Sequence, residues 1–454
     1  MVENLVDAVV RYALTADAAT LSEDVLTAST NLLLDAVGVG LVGKTNPDAS
    51  RALNVVKTWG SAAEASAWGT SGSRLPAGSA SFVNAFQMHC LEFDAIHEPS
   101  VVHPTTVVFP VIAAWTQREK AQGNVISGAK FLTAFAVGVD VAAGLGRAAS
   151  TPLQFFRPAT AGALGSVAAL SNLRQVAPDV AASSFGVVYG ALSGTMQPHT
   201  EGAQVLALQI GFNARSAIHS FDLAESGFQG PRLILEGKYG YFRLIEAGGD
   251  PISFVERLGH QSEAAATSIK PFPSGRATHA VLDAILGLRS ENDLTVKDVA
   301  KVEISVPPMV YDLVGRPASE GLTPGAARLC LPYLVFWILQ HGSVDVNTYS
   351  SDRLRDSEAL SFAARVTVFP DDNPDPNAFN PQTVRLFLQD GTVLERTMTA
   401  TLGSPERPLT EEDLLRKVND NLALGGRANV ASAIVDNVRG ILDLEDVTQL
   451  LDLM

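Results

Sequence analysis

The sequence predicts a mostly α-helical protein: a large all-helical domain with a smaller α+β domain inserted into it. Three observations carry this. Helical patterns rich in small residues follow one another through the first 226 positions. Strand-like alternation is confined to residues 300–399. A helical pattern then returns from Glu411, and its apolar faces need a partner. The predicted boundaries are 1–267 plus 402–454 for the helical domain and 268–401 for the insertion.

The elements follow in order. Residues 22–41 suit an amphipathic helix, with Ser22 as N-cap and Val25, Leu32, Leu33, Ala36 and Val37 at helical spacing. Residues 76–92, 105–118, 128–148, 159–172, 179–195 and 212–226 read the same way. Their Gly and Ala positions point to close helix packing. Residues 300–306, 364–369 and 383–388 alternate as half-buried strands do. Asp390-Gly391 marks a hairpin turn before residues 392–400. Helices are expected at 277–288 and 324–341, and the Pro/Asp/Asn-rich stretch 370–381 reads as a loop.

Composition narrows the function. The chain has 454 residues, is 46% hydrophobic and 18% charged, and carries a formal net charge of −15. It is long and apolar enough to bury a large core. The acidic balance argues against nucleic-acid binding, which needs cationic surface. Two cysteines are too few for a disulfide framework or a cysteine-based zinc site. No leader pattern and no uncharged apolar stretch of membrane-spanning length is evident. The expectation is a soluble, cytoplasmic enzyme. P-loop, dinucleotide-binding and nucleophile-elbow motifs are absent.

Three polar constellations stand out. The first runs from His89 through Glu92, Asp94, His97 and Glu98 to His103-Pro104. It sits where a helix gives way to an irregular loop, a common place for catalytic groups. His103 can move a proton near neutral pH, and Glu92 or Asp94 can orient it. The spacings match neither the helix-borne His-Glu-x-x-His pattern nor a Cys/His zinc site, so no metal is expected. A solvated loop whose acids cap a helix remains the plain alternative.

The second constellation is Lys270-Pro271-Phe272-Pro273-Ser274-Gly275-Arg276-Ala277-Thr278-His279, opening a helix. An ammonium and a guanidinium at a helix start suit a carboxylate. Ordinary capping by Ser274 with a surface Lys and Arg is the alternative. The third is Arg328 to Tyr333, where Tyr333 either donates to a substrate oxygen or belongs to the core. Arg157, beside Phe155 and Phe156, either stacks on them or meets an anion.

Together these stretches resemble the MmgE/PrpD family. Leu91-Glu92-Phe93-Asp94-Ala95-Ile96-His97-Glu98 with His103-Pro104 is similar to its Leu-Asp-Phe-Asp-Asp-Thr-His-Glu and His-Pro signature. Lys270 to His279 resembles Lys-Pro-(Tyr/Phe)-Pro-x-x-Arg-x-(Thr/Ser)-His. Leu331-Pro332-Tyr333 and Thr160-Ala161-Gly162 match two further blocks. The resemblance implies an α+β lid, an active site in the cleft between lid and helical domain, a homodimer, and chemistry without cofactor. It implies a lyase, dehydratase or decarboxylase, working by proton transfer beside a carboxylate of a small acid. An epimerase and a catalytically silent carboxylate binder are the alternatives. The implied catalytic residues are His103, Lys270, Asp94 and Glu92. The implied substrate contacts are Tyr333, Arg276, Arg157, Ser274, His279 and Gln209. Departures are Ala95-Ile96 in place of Asp-Thr and Arg157 in place of His. Leu206, Ala207 and Gln209 stand where a Lys-Arg-Leu-His run is usual. These predict a substrate with fewer negative charges than a tricarboxylate.

Overall fold

A computed structural model describes residues 4–70, 72–375 and 378–454. The chain divides into two compact units. One comprises residues 1–90, 94–267 and 411–454, the other residues 91–93 and 268–410. The fold is mostly α-helical with a small mixed sheet.

The first unit is helical apart from a two-residue pair, β1 (Ala65–Ser66) with β2 (Arg74–Leu75). Its centre is formed by helices Gly128–Arg147 and Arg157–Arg174. The sequence lets them meet backbone to backbone. A Cβ on Gly165 would stand 2.4 Å from the carbonyl oxygen of Gly138, so larger residues would force the pair apart. Ser22 caps helix Glu23–Val42 as expected, its hydroxyl accepting from the Val25 N–H. Helix Glu411–Leu424 packs on Glu23–Val42, where Lys417 Nζ lies 2.6 Å from Asp35 Oδ1 in a buried ion pair.

Several boundaries differ from expectation. The helix expected at 76–92 stops at His89, and the one expected at 179–195 stops at Tyr189, before Gly190 and the left-handed Gly194. The helix expected from 212 starts at Val205, because Leu206, Ile210 and Ala214 already follow helical spacing. Among the described residues two helical stretches, Glu23–Thr45 and Gly128–Arg147, are long and apolar enough to cross a membrane, although neither is uncharged. Most of each is buried within the protein, and each carries a buried aspartate with an internal partner, Asp35 with Lys417 and Asp140 with Tyr12.

The second unit holds a four-stranded sheet of order β4–β3–β5–β6, with β3 Val299–Val306, β4 Val366–Pro370, β5 Gln382–Leu388 and β6 Val393–Met398. The β3–β4 pair is parallel and the others antiparallel, with Ile304 opposite both Val368 and Val384. Alternation places Val302, Ile304, Val306, Val384 and Leu386 in the core. Helix His279–Asn292 packs on β5 and β6. Gly391, with φ +89°, turns the β5–β6 hairpin, which is the role read from Asp390-Gly391. The single helix expected at 324–341 is two, Pro324–Ala327 and Leu331–His341; Pro332 in the first turn of the second lacks the N–H that a continuous helix would use. Residues 402–410, expected with the C-terminal helices, group with this unit instead. Ile269 N–H donates to Gly403 O at 2.9 Å, and Arg276 Nη1 donates to Leu402 O at 2.7 Å.

Candidate active site

In the first unit, helix Ala77–His89 ends and delivers His89. Asp94 and His103 follow on the loop before helix Thr105–Ala121. All three side chains are buried together. His103 Nδ1 lies 2.5 Å from Asp94 Oδ2, and His89 Nδ1 lies 3.2 Å from the same oxygen and 3.3 Å from Oδ1. The imidazoles meet edge to face with centroids 4.9 Å apart. A carboxylate facing Nδ1 fixes the tautomer by inference: Nδ1 carries the proton and Nε2 keeps its lone pair. Asp94 and His89 are 0% and 2% exposed and His103 is 8% exposed. His103 is thus the most exposed of the three side chains. The sequence reading opened the first constellation at His89 but gave it no role; its signal was a histidine five residues before Asp94.

His89, Asp94 and His103 offer ligand atoms within 4.8 Å of one another, a set that could hold a metal ion. The distances favour a proton. Ligands about 2.0–2.1 Å from a tetrahedral zinc stand roughly 3.3 Å apart, so a metal would have to push His103 and Asp94 away from their 2.5 Å contact.

A second buried network holds the loop between Asp94 and His103. His97 Nδ1 is 2.9 Å from Ser100 Oγ, and His97 Nε2 is 2.9 Å from Glu263 Oε2. Arg147 Nη1 donates to the same carboxylate oxygen at 3.1 Å. Burial alone would raise the Glu263 pKa, but the hydrogen bond from His97 and the nearby charges of His97 and Arg147 hold it below the usual carboxylate value. Arg157, expected at an anionic ligand, is committed internally. Its Nε and Nη2 donate to Glu246 at 2.7–3.0 Å, and Nη1 donates to Ser100 O at 2.8 Å. Gln209 is likewise engaged: its Oε1 accepts from Thr195 N–H and its Nε2 donates to Thr195 O.

In the second unit, Lys270 Nζ donates to both the backbone oxygen and Oε2 of Glu92, each at 3.1 Å. Glu92 adopts φ +53°, which turns its carbonyl and its carboxylate toward one ammonium. Such a conformation costs an L-residue roughly 1–2 kcal/mol. Val101, two residues before His103, is also left-handed at φ +51°. Strained backbone of this kind persists where the surroundings over-determine it. An ammonium has three donors, and two of those of Lys270 face Glu92.

The remaining expected contacts each make hydrogen bonds within the protein. Ser274 does not cap the helix: its hydroxyl pairs with that of Thr278 at 2.8 Å. His279 Nε2 is 3.1 Å from Ser274 O, and Arg276 binds the carbonyls of Leu402 and Thr401. Tyr333 donates to Thr348 O at 2.7 Å; burial drives its pKa up, so it stays protonated. Arg328, in the stretch singled out for Tyr333, is buried with its guanidinium 4.4 Å over the ring of Tyr349, whose hydroxyl donates to Pro273 O.

Residues 7–252 match the family model of the MmgE/PrpD N-terminal domain, and residues 272–439 match that of the MmgE/PrpD C-terminal domain. Over 451 residues the chain is 27% identical to the cis-aconitate decarboxylase of Mus musculus, covering 96% of this chain and 90% of that protein. The Homo sapiens cis-aconitate decarboxylase is also 27% identical, over 96% of this chain and 91% of its own length. That of Aspergillus terreus is 23% identical over 452 residues, covering 95% and 92%.

Proposed function

The chain belongs to the MmgE/PrpD family, and on that premise we propose that this lyase releases carbon dioxide from a small unsaturated carboxylic acid, without a cofactor. The relatives' activity favours decarboxylation over dehydration. The buried His103–Asp94 pair is the observation that carries the mechanism. When a carbon–carboxylate bond breaks, its electron pair passes into the carbon framework and carbon dioxide leaves. The anion collects on the remaining carboxylate and is quenched by one proton delivered to carbon. His103 delivers that proton, and the Asp94 carboxylate stabilises its imidazolium form. Lys270, held by Glu92, supplies positive charge to the oxygens where negative charge grows. Arg276 and His279 support the Lys270 turn. Tyr333, Ser274, Arg157 and Gln209 shape the fold around these groups.

The substrate is proposed to carry fewer than three carboxylates. Arg157 has its guanidinium on Glu246 and the Ser100 carbonyl, Gln209 has both ends of its amide on Thr195, and Leu206 and Ala207 bear no charge. A homodimer is proposed on the family resemblance, with a sedimentation mass twice that of the chain.

The test incubates the purified protein with mono-, di- and tricarboxylic unsaturated acids in D2O, following carbon dioxide and proton NMR. Carbon dioxide release with one deuterium at the new C–H bond is expected, fastest for a dicarboxylic acid and unchanged after dialysis against EDTA. Loss of water without carbon dioxide would make the protein a dehydratase. Inversion with deuterium uptake would make it an epimerase, and binding without turnover a silent homologue. Preference for the tricarboxylate would overturn the charge argument.

A further inference from the structure

We propose that His97 is a positioning residue for His103, acting through a buried pin in which its ring joins Ser100 to Glu263; this rests on the reading in which His103 moves the proton. His97 itself is 0% exposed. Its ring is held at both nitrogens, by the Ser100 hydroxyl at 2.9 Å and by Glu263 at 2.9 Å. The backbone closes on itself at the same place. His97 N–H donates to Val102 O at 2.8 Å, and Val102 N–H returns to His97 O at 3.4 Å. Residues 97–102 thus form a small closed loop with His103 as the next residue. Val101 within it adopts a left-handed conformation that a β-branched residue avoids. Something must hold it there, and the contacts do so from three directions. Glu263 fixes the ring of His97. Arg157, anchored on Glu246, takes the carbonyl of Ser100. Helix Gly128–Arg147 presses against Ser100 and Val102 at Gly146, where a Cβ would come within 2.8 Å of Ser100 O.

A loop closed and pinned in this way fixes the direction in which the chain enters His103. The 2.5 Å contact with Asp94 leaves little slack, since both partners are buried and small misplacements of a reacting group cost much of its efficiency. The charged groups facing the ring of His97 are Glu263 and, through that carboxylate, Arg147 and Arg257. Their part is to keep the pin rigid.

The experiment compares His97→Leu, Glu263→Ala, Glu263→Gln and Ser100→Ala with His103→Ala in the full chain, measuring kcat, KM and melting temperature. His97→Leu and Glu263→Ala are expected to lower kcat about tenfold or more with KM within about twofold. Glu263→Gln keeps an oxygen acceptor for Nε2–H and should recover kcat to within about threefold of wild type. A structural contribution alone would move the melting temperature without this split or this rescue. Ser100→Ala removes the second anchor, together with the hydroxyl's bond to His97 O at 3.1 Å, and carries little risk to folding. It should lower kcat about threefold at unchanged KM, and decides the matter if His97→Leu does not fold. Wild-type kcat in folded Ser100→Ala and Glu263→Ala, with His103→Ala inactive, overturns this inference alone. An active His103→Ala overturns the parent reading and this inference with it.

Discussion

Nδ1 of His103 lies 2.5 Å from Oδ2 of Asp94, while the second imidazole on that carboxylate, His89, stands at 3.2 Å. One buried acid therefore serves two rings unequally. In the proposed mechanism the short contact stabilises positive charge on His103. The longer one lets His89 orient the carboxylate without competing for its role.

Asp94→Asn should therefore separate geometry from charge. The amide is nearly the same size but cannot stabilise an imidazolium, and it can present its N–H₂ to a ring nitrogen. We expect kcat to fall by about 10²–10⁴-fold, with a cooperative unfolding transition retained. A variant within about threefold of wild type would remove Asp94 from the mechanism.

Lys270→Ala should lower kcat by about 100-fold or more, because it removes the charge that gathers the developing anion. Glu92→Gln leaves the backbone oxygen of Glu92 and an amide oxygen for the ammonium, so its loss should stay near tenfold or below. Equal losses in the two variants would mean that the carboxylate, and not only the ammonium, acts on the substrate. Steady-state kinetics on both, with circular dichroism to confirm folding, makes the comparison.

Local chemistry was legible in the sequence and long-range pairing was not. Ser22 and Asp390-Gly391 do what their residue types dictate within three or four positions, and the structure shows both. The same holds for the grouping of Asp94 with His103, nine residues apart on one loop. Arg157 looked like an anion contact because it adjoins two aromatics, and Gln209 because it stands within the run where the family has basic residues. The partner of Arg157 is 89 residues away, at Glu246, and Gln209 folds back onto Thr195, which the pattern placed in a helix that ends instead at Tyr189. His89 was noted in the first constellation but given no role for a related reason: nothing in the sequence says that the chain turns and sets Asp94 against it. The helix break at Arg328–Cys330 was hidden because the apolar pattern runs through it.

Lys417 and Asp35 test how the C-terminal helices complete the first unit. The pair is buried, at 6% and 1% side-chain exposure, and spans 2.6 Å between helices Glu411–Leu424 and Glu23–Val42. Removing one partner leaves a buried charge uncompensated, so Lys417→Met should destabilise the protein by about 3–5 kcal/mol. The double variant Asp35→Leu with Lys417→Met should recover most of that loss, since an apolar pair of similar volume needs no desolvation of charge. Urea unfolding of the two variants gives the numbers. A double variant as unstable as the single one would show that Asp35 is held by groups other than Lys417.

Asp140 makes a prediction about pH that runs against the usual direction for a carboxylate. It sits inside helix Gly128–Arg147, and burial raises its pKa from 3.8 to about 6. Hydrogen bonds from the Tyr12 hydroxyl and the N–H groups of Ala264 and Glu263 pull the other way without winning. The folded state thus binds this proton more tightly than the unfolded chain does. The stability it confers is fully present below about pH 4 and is lost as pH rises through about 6, a difference of about 3 kcal/mol for a shift of this size. Asn is a neutral stand-in for the protonated acid. Its oxygen can accept from the two backbone N–H groups, and its N–H₂ can donate to the Tyr12 oxygen. Asp140→Asn should therefore stabilise the protein at pH 7 by about 1–3 kcal/mol and have little effect at pH 4. Subtracting the two unfolding curves at each pH cancels the other titrating groups. A difference that does not change between pH 4 and pH 7 would mean that Asp140 is ionised in the folded state throughout, held so by Tyr12 and the backbone.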